Sequence, residues 1–111
     1  MLSSVPITAV RAELSAALPR DVTIGDGYPN PFNATVRIPF ELAGDGAVEM
    51  YVYDLLGRRV RGLVSGPLGP GGYSATWDGT DGTGQTVANG TYFVRLLSND
   101  DRSMTKIMLL K

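Results

Sequence analysis

Short apolar alternations recur about every ten residues from residue 21 to the end of the chain, each bounded by glycine, proline, asparagine or aspartate. A period of two places successive side chains on opposite faces of a strand, and frequent turn formers keep such strands short. The spacing predicts strands over Val22–Ile24, Thr35–Phe40, Ala47–Asp54, Arg59–Val64, Gly72–Trp77, Thr91–Leu97 and Met104–Leu110. In the second, Val36, Ile38 and Phe40 share a face; in the third, Val48, Met50 and Val52 oppose Glu49, Tyr51 and Tyr53. The fourth carries Val60 and one of Leu63 or Val64 inward. Between them lie Gly44-Asp45-Gly46, Asp54-Leu55-Leu56-Gly57, Gly69-Pro70-Gly71-Gly72, Asp78–Gly84 and Asn89-Gly90, with Asn89-Gly90 read as a hairpin turn and Gly57 as a positive-φ position. No helix is needed after residue 21. About seven antiparallel strands of this length close into a two-sheet sandwich.

Residues 1–20 are different, with no glycine and a dominance of Ala, Ser, Leu and Val. As a helix, Val10, Leu14, Ala17 and Leu18 share a face and Pro19 ends it. As strands, Val5 and Ile7 alternate with Pro6 and Thr8, then Val10, Ala12 and Leu14 with Arg11 and Glu13. The strand reading accounts for more of the segment; a plain linker is the third reading. The chain thus divides into an extension at 1–20 (linker or donor strand) and one domain at 21–111.

A chain of 111 residues is long enough for one core. It has no histidine and no cysteine. The commonest general base, thiolate nucleophiles, disulfides and most transition-metal sites are therefore absent, and no base–nucleophile pairing is recognisable. The expectation is a protein that is not an enzyme and uses no cofactor. A net charge of −1 argues against nucleic acid and against a polybasic grip on lipid. No apolar run approaches the ~20 residues of a membrane span.

Three features invite sharper chemistry. Asp78 and Asp81, with Asp26 or Asp54 from elsewhere, could be calcium ligands, but the spacing is not that of a calcium loop and Asx turns explain them more simply, so calcium is not expected. Asn33-Ala34-Thr35 and Asn89-Gly90-Thr91 match the glycosylation pattern, making Asn33 and Asn89 candidate glycan sites. Trp77 reads as the largest core anchor, its indole N–H needing a partner. The alternative makes it part of an exposed coplanar aromatic platform for carbohydrate with Tyr51, Tyr53, Tyr73 or Phe93.

Five ordered motifs stand out: Gly27-Tyr28-Pro29-Asn30-Pro31-Phe32-Asn33, Val52–Val60, Gly72–Gly79, Asp81–Gly84 with Val87–Leu96, and the ending Lys106–Lys111. Over residues 21–111 their order resembles the type A C-terminal sorting domain of type IX secretion cargo and is similar to the related immunoglobulin-like domain of the flagellar hook-capping protein. The resemblance implies an immunoglobulin-like antiparallel sandwich at the C-terminus of proteins exported by Bacteroidetes and related phyla. It further implies passage through the periplasm, recognition by an outer-membrane export machine, and release or attachment at the cell surface. Ala34 departs from it, since the family usually has proline there. On this reading Tyr28, Pro29, Asn30, Pro31, Phe32 and Asn33, with Lys106 and Lys111, form the candidate recognition surface. The plainer reading makes the proline run a rigid entry pinned by Tyr28 and Phe32, and the lysines solvated edge charges flanking the last strand. A rival function is a self-assembling fibre subunit whose segment Val5, Ile7, Val10, Ala12 and Leu14 complements the sandwich of another copy.

Overall fold

The computed structural model describes residues 22–111; the candidate donor strand and the domain division at residue 20 lie outside them. Seven strands follow in order: β1 (Val22–Ile24), β2 (Val36–Leu42), β3 (Gly46–Tyr53), β4 (Arg59–Leu68), β5 (Gly71–Trp77), β6 (Gly90–Ser98) and β7 (Asp101–Leu109). They form two antiparallel sheets, β1-β2-β5 and β4-β3-β6-β7. This is the immunoglobulin-like sandwich expected from the sequence.

The alternations do what a period of two requires. Val36, Ile38, Phe40 and Leu42 of β2 face Val48, Met50 and Val52 of β3 and Val94 and Leu96 of β6, all buried in one core with Trp77, Ile107 and Leu109. At ~1.5–3 kcal/mol for each fully buried large side chain, this cluster is the principal stabilising term.

Three of the differences from the expected elements have a clear physical reason. First, β4 runs four residues past Val64, because Ser65–Leu68 continue to pair with Gly46–Glu49. Its register slips at Leu63 and at Val60, so neither obeys strict alternation and Val60, Leu63 and Val64 all end half-buried. Second, β7 starts at Asp101, because Asn99 and Asp100 both take positive φ (51° and 67°) and close a two-residue hairpin. Third, Asn89-Gly90 is not a hairpin turn: it ends the loop between β5 and β6, and Gly90 already pairs with Leu109. Gly57 has φ +80° as expected, in a turn where Asp54 Oδ1 accepts from the amides of Leu56 and Arg58.

Pro39 shows how one residue limits a strand. Gly25 N–H donates to its carbonyl, but proline has no N–H to return, and β1 pairing stops at Ile24.

Candidate functional site

The run from Gly27 to Asn33 carries the chain from one sheet to the other. Tyr28 and Arg37 exchange both backbone hydrogen bonds at 2.9 Å, prolonging the line of β1 beside β2. The chain then crosses to the edge of β7. Phe32 N–H donates to Met108 O and Leu110 N–H to Phe32 O, both at 2.9 Å. Asn30 fastens the crossing with its side chain: Oδ1 accepts from Met108 N (2.9 Å) and Nδ2 donates to Lys106 O (3.1 Å). Both the Tyr28–Pro29 and Asn30–Pro31 bonds are cis.

Gly27 lies beneath this crossing because nothing larger fits. A Cβ there would meet Ile107 and Val36 methyls at 2.9 Å. Below it, the Phe32 ring packs at 5.6 Å on Trp77, which meets Tyr92 edge-on at 5.1 Å. The buried indole N–H finds Thr80 O at 2.8 Å.

The candidate recognition residues are therefore brought together, with one correction. Tyr28, Pro29, Asn30, Pro31 and Asn33 are exposed, and Lys106 and Lys111 are exposed beside them. Phe32 is only 1% exposed and belongs to the core, so it is not part of a recognition surface. Tyr28 in turn is exposed rather than an inward pin. Lys106 lies within β7 rather than flanking it, and the Lys111 amide donates to Asn89 Oδ1 at 3.2 Å. Asn33 and Asn89 are both exposed.

The aromatic platform is also corrected. Trp77 is buried, and Tyr73 is half-buried, stacked on Phe40 and bonded through its hydroxyl to Gly69 O. Tyr51 and Tyr53 meet edge to face at 64°, and the Arg59 guanidinium covers the Tyr51 ring at 3.8 Å. Residues that form no shared plane offer no flat stacking surface for a sugar ring. What this outer face of β3 and β6 does hold is Arg95, donating to the Tyr53 hydroxyl at 2.7 Å, its buried Nε without a hydrogen bond. Leu55 and Leu56 stand exposed at the nearby turn. Sequence reasoning passed over these residues. The available signal was two adjacent leucines in a turn too short to bury both.

The aspartate loop is a set of self-bonded turns. Asp78 Oδ1 accepts from the Thr80 amide and hydroxyl, and Asp81 Oδ1 accepts from the amides of Thr83 and Gln85 and from the Thr83 hydroxyl. Among the described residues no three acidic side chains converge as a metal site would require. The Thr83 hydroxyl, then the Thr83 and Gln85 amides, hold Asp81 below its ordinary value near 3.8, and the Thr80 hydroxyl acts first on Asp78. Asp54 is lowered chiefly by the Arg58 amide. A carboxyl with a lowered folded-state pKa stabilises when ionised, and that stabilisation is lost as pH falls through the folded value. Melting temperature is thus expected to be flat above about pH 5 and to fall below about pH 4. Asp81→Asn should lower it at neutral pH and shrink the acid-side drop, as read by melts from pH 7 to 2.5. An unchanged acid limb in the variant would refute this role for Asp81.

The fold and its bonded loops define a structural immunoglobulin-like domain. The chain belongs to the FlgD Ig-like domain family, whose model matches residues 29–101, a family of non-catalytic structural domains. Among solved structures it is similar to dimeric latent PorU from Porphyromonas gingivalis, at 21% identity and TM-score 0.63 over 84% of this chain. It is also similar to the Pseudomonas fluorescens alkylpurine DNA glycosylase AlkC bound to DNA containing an abasic site analogue, at 17% identity and TM-score 0.50 over 94% of this chain. The chain spans 10% and 34% of those two proteins, and at these identities the likeness is one of fold. No curated protein gives a significant match. Among the described residues no helix is long and apolar enough to cross a membrane.

Proposed function

We propose that this domain is an exported, non-catalytic sorting module, recognised as a folded surface by an outer-membrane export machine that delivers its protein outside the cell or onto the cell surface. The observation that carries this reading is the joining of two segments distant in sequence. Asn30 bonds the backbone of Lys106 and Met108, so the exposed parts of the Tyr28–Asn33 run and the final strand form one patch. That patch exists only when both sheets are assembled. A receptor reading it would take folded domains and leave unfolded ones, which suits a signal that acts after folding. The structural neighbour PorU, a type IX secretion protein, supports the same direction.

The test is a fluorescent reporter fused ahead of the full chain in a type IX-competent bacterium. The expected result is reporter in the medium or on the surface, and retention in the periplasm when the export machine is deleted. Exchanging Lys106 and Lys111 for glutamate, both exposed, is expected to reduce export with an unchanged melting temperature. Equal distribution of the reporter in both strains would refute the proposal.

A further inference from the structure

We propose that the free edge of β5 is a strand-accepting site, and that its occupant is the segment 1–20 of a second copy of this chain. Edge strands carry unpaired backbone groups that pair with any extended segment unless they are protected. The four edges of this sandwich are treated very differently. On β1, the outward amides of Val22 and Ile24 are taken by Asp101 Oδ2 and Ser103 Oγ. The edge of β7 is taken by Asn30 and Phe32. On β4, two register slips and Pro67 break up the edge, and Val60 O is taken by the Gly82 amide.

β5 has none of these protections. Arg37 and Pro39 of β2 direct their backbone groups toward Tyr28 and Gly25, so Thr76 and Ser74, opposite them, point away from β2. By the same alternation Gly72 points outward. Among the described residues these outward groups have no backbone partner. The strand reads Gly-Gly-Tyr-Ser-Ala-Thr-Trp, with no charge, no proline and no register slip. On this side of the sandwich Leu63, Val64 and Leu68 of β4 and Tyr73 of β5 are half-buried.

Residues 1–20 match such an edge. Their alternating apolar set, Val5 and Ile7 then Val10, Ala12 and Leu14, offers the two-residue period that strand addition requires. At ~3.3 Å per residue they reach about 66 Å, against about 23 Å for β5. A chain's own segment would have to cross the end of its sheet to get there. It leaves at Val22, beside Leu42 and Gly71, where the β2–β3 and β4–β5 loops also depart. Connections rarely cross on one edge of a sheet, and a neighbour's segment meets no such crossing. Because donor and acceptor surfaces differ, the contact is head-to-tail, and the assembly is open-ended unless the rotation between copies closes it into a ring.

Sedimentation velocity of the full chain over a concentration series tests this. The expected result is concentration-dependent oligomers of increasing size. Ser74→Pro removes an N–H that faces away from β2, a change an edge strand tolerates, and should weaken association at least tenfold with the melting curve retained. Thr76→Lys supplies an independent protection of the same edge and should act alike. On the donor side, Ile7→Asp with Val10→Asp should have the same effect. A parent chain that stays monomeric overturns the proposal, as does association unchanged in both β5 variants. Association lost in Ser74→Pro but kept in the Asp variant would assign the edge to β5–β5 pairing and overturn the occupant. The outcome is separate from export: a chain that assembles but is not delivered by the export machine fails only the sorting reading.

Discussion

Replacing Trp77 with alanine is expected to cost about 3–5 kcal/mol, the range for deleting a large buried aromatic. The indole is 1% exposed and joins three things. It packs on Phe32 at 5.6 Å, meets Tyr92 edge-on at 5.1 Å, and its N–H holds Thr80 O at 2.8 Å at the base of the aspartate loop. Alanine loses both ring contacts and removes the donor to the part-buried Thr80 carbonyl. Domains of this size hold about 5–15 kcal/mol in total, so the variant would sit near the limit of folding. Trp77→Phe separates the terms: the ring contacts largely survive, and the expected cost falls to about 1–3 kcal/mol for the lost hydrogen bond. Urea unfolding followed by far-ultraviolet circular dichroism measures both, since the alanine variant has no tryptophan to report. In the parent, the single tryptophan should emit at short wavelength until the main transition. A Trp77→Ala midpoint close to the parent's would show that the ring carries no core packing.

The sandwich was legible because most strands obey a single rule. In β2 every second residue is apolar and buried, as are Val48, Met50 and Val52 of β3 and Tyr92, Val94 and Leu96 of β6, so period, face and burial agree. Where the rule fails, the cause is local. The two register slips in β4 put Val60 and Leu63 out of phase, and no periodicity can anticipate a slip. The Asn99-Asp100 hairpin was missed because neither residue is glycine, although asparagine and aspartate tolerate positive φ better than other residues. The site was less legible than the fold. The motifs picked out Tyr28–Asn33 and the final strand, yet nothing in the sequence says that Asn30 will reach the backbone of Lys106 and Met108, 76 and 78 residues away. Nor does the run itself distinguish Tyr28 from Phe32. Two aromatic residues four apart in a proline-rich segment look alike until the crossing between sheets turns one inward.

That distinction yields the second large effect. Phe32→Ala is expected to cost about 3–5 kcal/mol, whereas Tyr28→Ala, four residues earlier in the same exposed-looking motif, should change stability by roughly 0.5 kcal/mol. Phe32 is enclosed by Trp77 and by the end of β7, and its backbone already fixes Met108 and Leu110. Removing the ring empties the space beneath the clamp without breaking those backbone bonds, so the penalty is that of a cavity. Tyr28 is 53% exposed and pairs with Arg37 through its backbone alone, which alanine preserves. Parallel urea curves measure the difference, and Phe32→Leu, which refills part of the space, should recover at least half of the loss. The pair also divides structure from recognition. A receptor that reads this patch should respond to Tyr28→Ala at unchanged stability, while Phe32→Ala should impair export only in proportion to the fraction unfolded. Equal midpoints for Phe32→Ala and Tyr28→Ala would refute the inward placement of Phe32, and with it the clamp that joins the early run to the last strand.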